Sequence, residues 1–224
     1  CIALGVMGIS GVNSVSRAMT GSIAEEGQSI LGGDISFQLV HREATPEEAA
    51  FFRAEGQVSI AATLRGMARR TDTQDQALVE IKAVDDPYPL FGELLTTAGG
   101  DAKAKLQFGA DGIPGVLVED ALLARLDLAV GAVVTIGTAQ VRIVDTIASE
   151  PDKLGGGGLG FGPRMLMTIP TLESTGLIQP GSLIRWHHRL KLDGAVTPAR
   201  LTALEARANE AFPQAGWEVR SSGN

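Results

Sequence analysis

The sequence predicts an α+β chain: a discontinuous, ferredoxin-like βαβ/βαβ subdomain split by a small β-rich insertion and preceded by a stalk helix. Three observations lead there. Two Thr-Pro helix starts, Thr45-Pro46 and Thr197-Pro198, each follow a strand-like run and precede another. Between them lies a long stretch of short apolar runs punctuated by glycine. Ahead of both, an uncharged run with regularly spaced glycines passes without a break into an amphipathic helical pattern.

From Cys1 to Val12 the chain carries no charge, and its polar side chains are the small ones of Cys1 and Ser10. Gly5, Gly8 and Gly11 share one helical face, where small residues let membrane helices approach closely. The run is shorter than the ~20 apolar residues that cross a bilayer. A buried core helix is the alternative. Glycine is a poor helix former in water, and the chain opens without Met or a charged segment. We therefore expect the end of a membrane-crossing helix, with Ile2, Leu4, Val6, Met7, Ile9 and Val12 in contact with membrane lipid. Val12, Val15, Met19, Ile23 and Ile30 then recur at helical spacing among Ser, Arg and Glu, the pattern of a stalk leaving the bilayer. Gly32-Gly33 ends it.

Ile35, Phe37 and Leu39 alternate with Ser36, Gln38 and Val40, a half-buried strand. Thr45, Pro46 and Glu48 form a capping-box start for a helix whose apolar face is Ala49, Phe51 and Phe52, and Gly56 stops it. Strands follow at about Val58–Arg69 and Gln76–Val84, joined by a polar loop at 70–75. Further on, Val116–Leu128 holds a short helix with Leu122, Leu123 and Leu126 inward. Val130–Gly137 and Gln140–Ile147 read as a hairpin, and Arg164–Ile169 as a strand. Ser182–Leu192 is strand-like. A second helix carries Leu201, Leu204, Ala208 and Phe212 on one face, and Trp217–Arg220 is a last strand. The resulting units are 1–31 (membrane-helix end and stalk), 32–99 with 182–224 (α/β subdomain) and 100–181 (β-rich insertion).

Composition narrows the chemistry. A 44% hydrophobic content supports a sizeable core, built from aliphatic residues because aromatics make up only 4%. A net charge of −7 with no basic stripe gives no reason to expect nucleic acid as a partner. The single cysteine, Cys1, precludes an intrachain disulfide and is compatible with the bacterial periplasm.

The loop from Gly155 to Pro163 is glycine-rich, but no Lys-Ser/Thr pair follows it and Pro163-Arg164 leads into a strand, so it lacks the context of a phosphate cradle. Its apolar side chains, Leu159 and Phe161, are candidates for contact with a cargo or partner. His187 and His188 are neighbours on a strand and point to opposite faces, which argues against one metal site; they read as surface or sheet-face histidines beside Trp186. The carboxylate pairs Glu25-Glu26, Glu47-Glu48, Asp85-Asp86 and Glu119-Asp120 are sequence neighbours, not the facing pair of a glycosidase. No nucleophile elbow or zinc-protease motif is present. We expect no catalytic residues, no metal and no cofactor.

Several stretches together carry a resemblance: Leu31-Gly32-Gly33-Asp34-Ile35, Ala44-Thr45-Pro46-Glu47-Glu48, Leu126-Asp127-Leu128-Ala129-Val130-Gly131, Glu150-Pro151-Asp152-Lys153-Leu154 and Glu173 through Ser182. In order and content they resemble the periplasmic core domain of FtsX/MacB-like ABC-transporter permeases, in particular the large type with two periplasmic domains. The resemblance implies a porter-like α/β part with an inserted β-rich part, facing the periplasm from the bacterial inner membrane. It further implies a cytoplasmic ABC ATPase on another chain or region, and mechanotransmission: ATP-driven movement passed along the stalk to a hydrophobic or lipid-like cargo or a periplasmic protein. Recruitment and regulation of a periplasmic hydrolase is the alternative within the family, and a free-standing hydrolase or sensor the alternative outside it.

Overall fold

The computed structural model describes residues 27–153 and 162–222. The membrane-associated residues expected at Ile2, Leu4, Val6, Met7, Ile9 and Val12, the stalk before residue 27, and Leu159 and Phe161 lie outside the described residues. Among the described residues, no helix is long and apolar enough to cross a membrane.

Residues 27–31 are helical. Strand β1 (Ile35–Val40) leads to α1 (Pro46–Glu55), β2 (Gly56–Arg70) and β3 (Gln76–Val84). Then come β4 (Leu95–Thr96), α2 (Ala102–Lys105), β5 (Gly115–Val118), α3 (Asp120–Leu126), β6 (Val133–Ile136) and β7 (Ala139–Ser149). The chain closes with β8 (Arg164–Thr168), α4 (Ile169–Ser174), β9 (Arg185–Leu192), α5 (Pro198–Ala211) and β10 (Glu218–Ser221). The strands form one mixed ten-stranded sheet in the order β10-β1-β9-β2-β3-β8-β5-β7-β4, with β6 bridging β2 and β7. At one end the four strands β10-β1-β9-β2 are all antiparallel to their neighbours. The pairings β3 with β8 and β5 with β7 are parallel.

Local chemistry explains the best-defined boundaries. Thr45 caps α1 through its side chain, and Glu48 reaches back to the Thr45 N–H at 2.8 Å, completing the expected capping box. Thr197 caps α5 in the same manner. The hairpin between β6 and β7 turns on Gly137, whose φ of +55° puts it in the left-handed region.

The helices lie against one face of the β10-β1-β9-β2 strands. There Ile35, Phe37, Phe52, Leu190, Leu201, Leu204 and Ala208 form a fully buried cluster. Phe37 stacks on Phe52 with ring centroids 4.7 Å apart, and Trp217 closes on Phe37 edge-on at 5.0 Å. A larger aliphatic cluster continues beneath β2, β3, β6, β7 and β8 and includes Val79, Ile81, Leu122, Val134, Ile143 and Met165.

Some elements depart from the sequence reading. The short helix expected within Val116–Leu128 is α3, with Leu122 and Leu126 buried, but the residues ahead of it form a strand, β5, that was not expected. The apolar run Gly115-Val116-Leu117-Val118 is buried on both faces between β7 and β8, which favours a strand over a helical stripe. The strand expected from Ser182 begins at Arg185, because the Ser182 hydroxyl closes a turn with Gln179 N–H and Leu177 O. The short elements β4, α2 and α4 were not anticipated.

Candidate functional site

The site assembles where residues 27–31 meet the sheet. Gly32, at φ +74°, ends this helical turn, and the N–H groups of Gly32 and Gly33 both donate to the Gln28 carbonyl, at 2.8 and 3.1 Å. Asp34 then ties the turn to the sheet. Its carboxylate accepts from Gln28 Nε2 at 2.6 Å and from Leu192 N–H at 2.8 Å, while its carbonyl accepts from Ser222 N–H at 3.0 Å. A Cβ on Gly32 would stand 3.0 Å from both Arg189 Cδ and Asp152 Cβ. Glycine is therefore required twice here, for the backbone angle and for the close approach.

Behind Gly32 is a buried cluster of charges on the sheet face opposite the helices. Lys82 of β3 donates to Glu150 at 2.8 Å, to Asp152 at 2.5 Å and to the Tyr88 hydroxyl at 3.0 Å. Tyr88 in turn donates to Asp152 at 2.7 Å. Arg189 of β9 pairs with Asp152 at 2.8 Å, and Arg164 of β8 pairs with Glu150 at 3.2 Å and Glu80 at 3.3 Å. Lys82, Glu150 and Asp152 are each at most 2% exposed in their side chains. The cations Lys82, Arg164 and Arg189 balance the carboxylates Glu80, Glu150 and Asp152, the condition under which buried charge is tolerated.

Burial pushes the Lys82 ammonium down, and Asp152 and Glu150 oppose that. Burial would raise the Asp152 carboxyl, but Lys82 and Arg189 outweigh it and hold the group well below the usual carboxylate range. Tyr88 is driven up, first by burial and then by the adjacent carboxylates. Asp152 Oδ2 has no aligned hydrogen bond, so the charge of Arg189 is what steadies it. The three acceptors around Lys82 saturate its three N–H donors and leave no free lone pair for nucleophilic attack. The arrangement suits a rigid cross-link between chain segments.

The network runs on into the middle of the chain. Glu119, the N-cap residue of α3, pairs with Lys153 and accepts from Arg164 N–H at 2.8 Å. Glu119 thus straps together the two chain segments flanking residues 154–161. Gly162 lies flush on β3, where a Cβ would be 2.6 Å from Leu78 O, and Pro163 O accepts from Glu80 N–H at 3.0 Å.

The other residues singled out in the sequence have separate fates. His187 and His188 do point to opposite faces, but both are buried rather than at the surface, because layers cover both faces of β9 here. His187 lies 3.1 Å from the Thr63 hydroxyl on the charged side; burial first, then Arg189 and Lys82, lower its pKa to about 3. His188 packs against Phe52 at 5.4 Å on the helix side, and burial lowers its pKa to about 4. Glu48 serves the capping box and receives a bidentate Arg42, and Asp85 accepts from Ser59 Oγ and Ile60 N–H. Among the described residues, Glu48 and Asp85 are thus engaged in separate local contacts; Glu25 and Glu26 lie outside the described residues. Among the described residues, no group of three or more His, Cys, Asp or Glu is placed to hold a metal.

The buried charge cluster was missed in the sequence. A faint signal existed: Lys82 interrupts the apolar run of β3, and Arg189 sits inside β9 between His188 and Leu190, in the stretch of that strand that is buried.

No family model matches the chain. It is 29% identical over 200 residues to the uncharacterized ABC transporter permease YbbP of Escherichia coli K12, an alignment covering 86% of this chain and 23% of that protein. The chain thus spans less than a quarter of that relative's length. Among solved structures, the periplasmic region of MacB from Actinobacillus actinomycetemcomitans superposes with a TM-score of 0.54 at 8% identity, covering 88% of this chain and 92% of the other. The extracellular domain of the noncanonic ABC-type transporter YknZ from Gram-positive bacteria gives 0.53 at 9% identity, covering 84% and 100%. A domain of a putative permease from Porphyromonas gingivalis gives 0.50 at 10% identity, covering 84% and 89%. The chain therefore has the fold of an FtsX/MacB-like periplasmic domain and is similar, over most of its length, to part of an ABC transporter permease.

Proposed function

We propose that this chain is the periplasmic part of a bacterial inner-membrane ABC-transporter permease and that it acts mechanically, without catalysis. A cytoplasmic ABC ATPase supplies the work, and the stalk carries movement to the sheet. One observation supports this reading above the others: the helical turn at 27–31 ends on a buried, charge-balanced cluster that joins β3, β8, β9 and the segment at 150–153. A joint of this kind transmits displacement instead of absorbing it, because breaking any one pair strands a buried charge. We read 32–99 with 182–224 as the part bearing the stalk, and 100–181 as the insertion that meets a hydrophobic or lipid-like cargo or a periplasmic partner, with Leu159 and Phe161 as contact residues.

The test uses the full-length permease with its ATPase, in a background with every native cysteine, Cys1 included, replaced by serine and carrying Ala124→Cys at an exposed position of α3. A membrane-impermeant maleimide is expected to label this site in intact spheroplasts. Spin labels there are expected to change their separation between paired permeases when ATP binds. Absence of labelling overturns the periplasmic placement, and an unchanged separation overturns the mechanical role.

A further inference from the structure

The sheet face opposite the helices is covered near the stalk by the charge cluster, but farther along it is open. Thr63, Arg65, Met67 and Arg69 alternate along β2 toward this face, and the register places Arg185 opposite Thr63, Leu78 opposite Met67 and Gln76 opposite Arg69. Val40 of β1 lies opposite Arg185. Arg65, Arg69 and Arg185 are exposed, Met67 is 41% exposed and Val40 38%. Among the described residues, Arg69 and Arg185 have no ion-pair partner. Glu80, opposite Arg65, pairs with Arg164, and the two arginines flanking Arg65 along the face are those without an ion pair. A chain of net charge −7 thus gathers three arginines and exposed apolar side chains on one patch of sheet.

We propose that this patch, centred on Arg65, Met67, Arg69 and Arg185, is a docking surface for an acidic segment of a periplasmic protein, one whose apolar side chains meet Met67 and Val40. The proposal rests on the periplasmic placement and gives its partner a chemistry. Charge complementarity selects an anionic partner against the overall repulsion of the chain. Distance selects a protein over the membrane surface. From Gly56, beside the stalk end of the sheet, β2 rises about 3.3 Å per residue, so Arg65 to Arg69 stand roughly 30–45 Å along it. Alternation in the sheet matches a partner that presents carboxylates and apolar groups along an extended strand.

The probe is a fluorescein-labelled peptide of alternating Glu, Val and Ser, titrated by anisotropy into the full-length permease in zwitterionic lipid nanodiscs, with a Lys-for-Glu peptide beside it. We expect saturable binding of the acidic peptide that weakens with salt, and at least about a tenfold loss when Arg69→Glu and Arg185→Glu are combined. Arg53→Glu, on the exposed side of α1, is expected to leave binding unchanged. Equal affinity for the two peptides, or no effect of the double reversal, overturns the proposal. So does saturable binding of phosphatidylglycerol vesicles that is abolished by the same double reversal, since that assigns the patch to a lipid. The maleimide labelling at position 124 does not depend on any of these results, so failure here is distinguishable from failure of the permease reading.

Discussion

The two faces of the β1-β9-β2 strands solve burial in opposite ways. On one, Phe37, Phe52 and Trp217 pack ring against ring with the helices α1 and α5. On the other, Lys82, Asp152 and Arg189 are buried just as completely, but as interlocked charges. The adjacent histidines sample both: His188 touches Phe52, and His187 lies near Arg189. An apolar face tolerates small shifts, because dispersion falls off gradually and side chains repack. A charged face does not, because each ion depends on a partner in one geometry. The difference assigns cohesion to the aromatic side and positional rigidity to the charged side.

The sharpest way to break this contrast is to strand a charge. Asp152→Ala strands Arg189 and leaves Lys82 with Glu150 alone, and is expected to cost about 3–5 kcal/mol in urea unfolding. The combined replacement Lys82→Met, Glu150→Gln, Asp152→Leu and Arg189→Met removes two cations and two carboxylates, leaves Arg164 paired with Glu80, and is expected to be neutral or to stabilise by about 1–4 kcal/mol; under the mechanical role proposed above, the ATP-dependent change in spin-label separation is lost with it. If the quadruple variant is as unstable as the single one, the cluster contributes cohesion and the contrast fails.

Acid tests both faces through the histidines. Each has a folded pKa lowered from 6.5, to about 3 for His187 and about 4 for His188. The unfolded chain therefore binds these protons first as pH falls. Stability is complete above about pH 6.5 and declines from there toward pH 4, by up to about 1.4 kcal/mol per pH unit for each histidine. The Asp152 carboxyl, held low, begins to contribute a further loss only below its ordinary range near 3.8. His188→Gln is expected to flatten the upper part of the decline, read as the unfolding midpoint against pH.

Smaller effects refine the boundary between helix and cluster. Gly32→Ala forces a side chain at φ +74° against Arg189 and Asp152, with an expected cost of about 1–3 kcal/mol and a shift of the Asp152 environment detectable by NMR. Thr45→Ala removes the α1 cap on the aromatic side alone; it is expected to cost about 1 kcal/mol and leave that environment unchanged.

What the sequence revealed was local. The capping box at Thr45 and Glu48, the Thr197 cap, the stop at Gly32 and the turn at Gly137 are set by neighbours a few residues apart, and the pattern displays them. The charge cluster is the reverse. Lys82 and Asp152 are seventy residues apart in number, and Arg189 lies farther still; each one alone looks like an ordinary solvent-facing charge in an alternating strand or a loop. Only the register of β3 beside β8, and of β9 beside β2, brings them to one face. The same holds for Arg65, Arg69 and Arg185, which a linear reading finds dispersed. The segment 115–118 misled for another reason: four apolar residues directly before a helix carry no period that separates strand from helix.

One strand gives the molecule an unexpected stiffness. β2 runs from Gly56, paired with Leu192 beside Asp34, to Arg70, paired with Val134 in the middle segment of the chain, without a break. Fifteen residues of strand span about 50 Å, so a few degrees of tilt at one end displace the other by several ångströms. Under the mechanical role proposed above, the strand is a lever arm whose fulcrum is Gly32 and its buried ions, and amplification comes with the length of the strand itself.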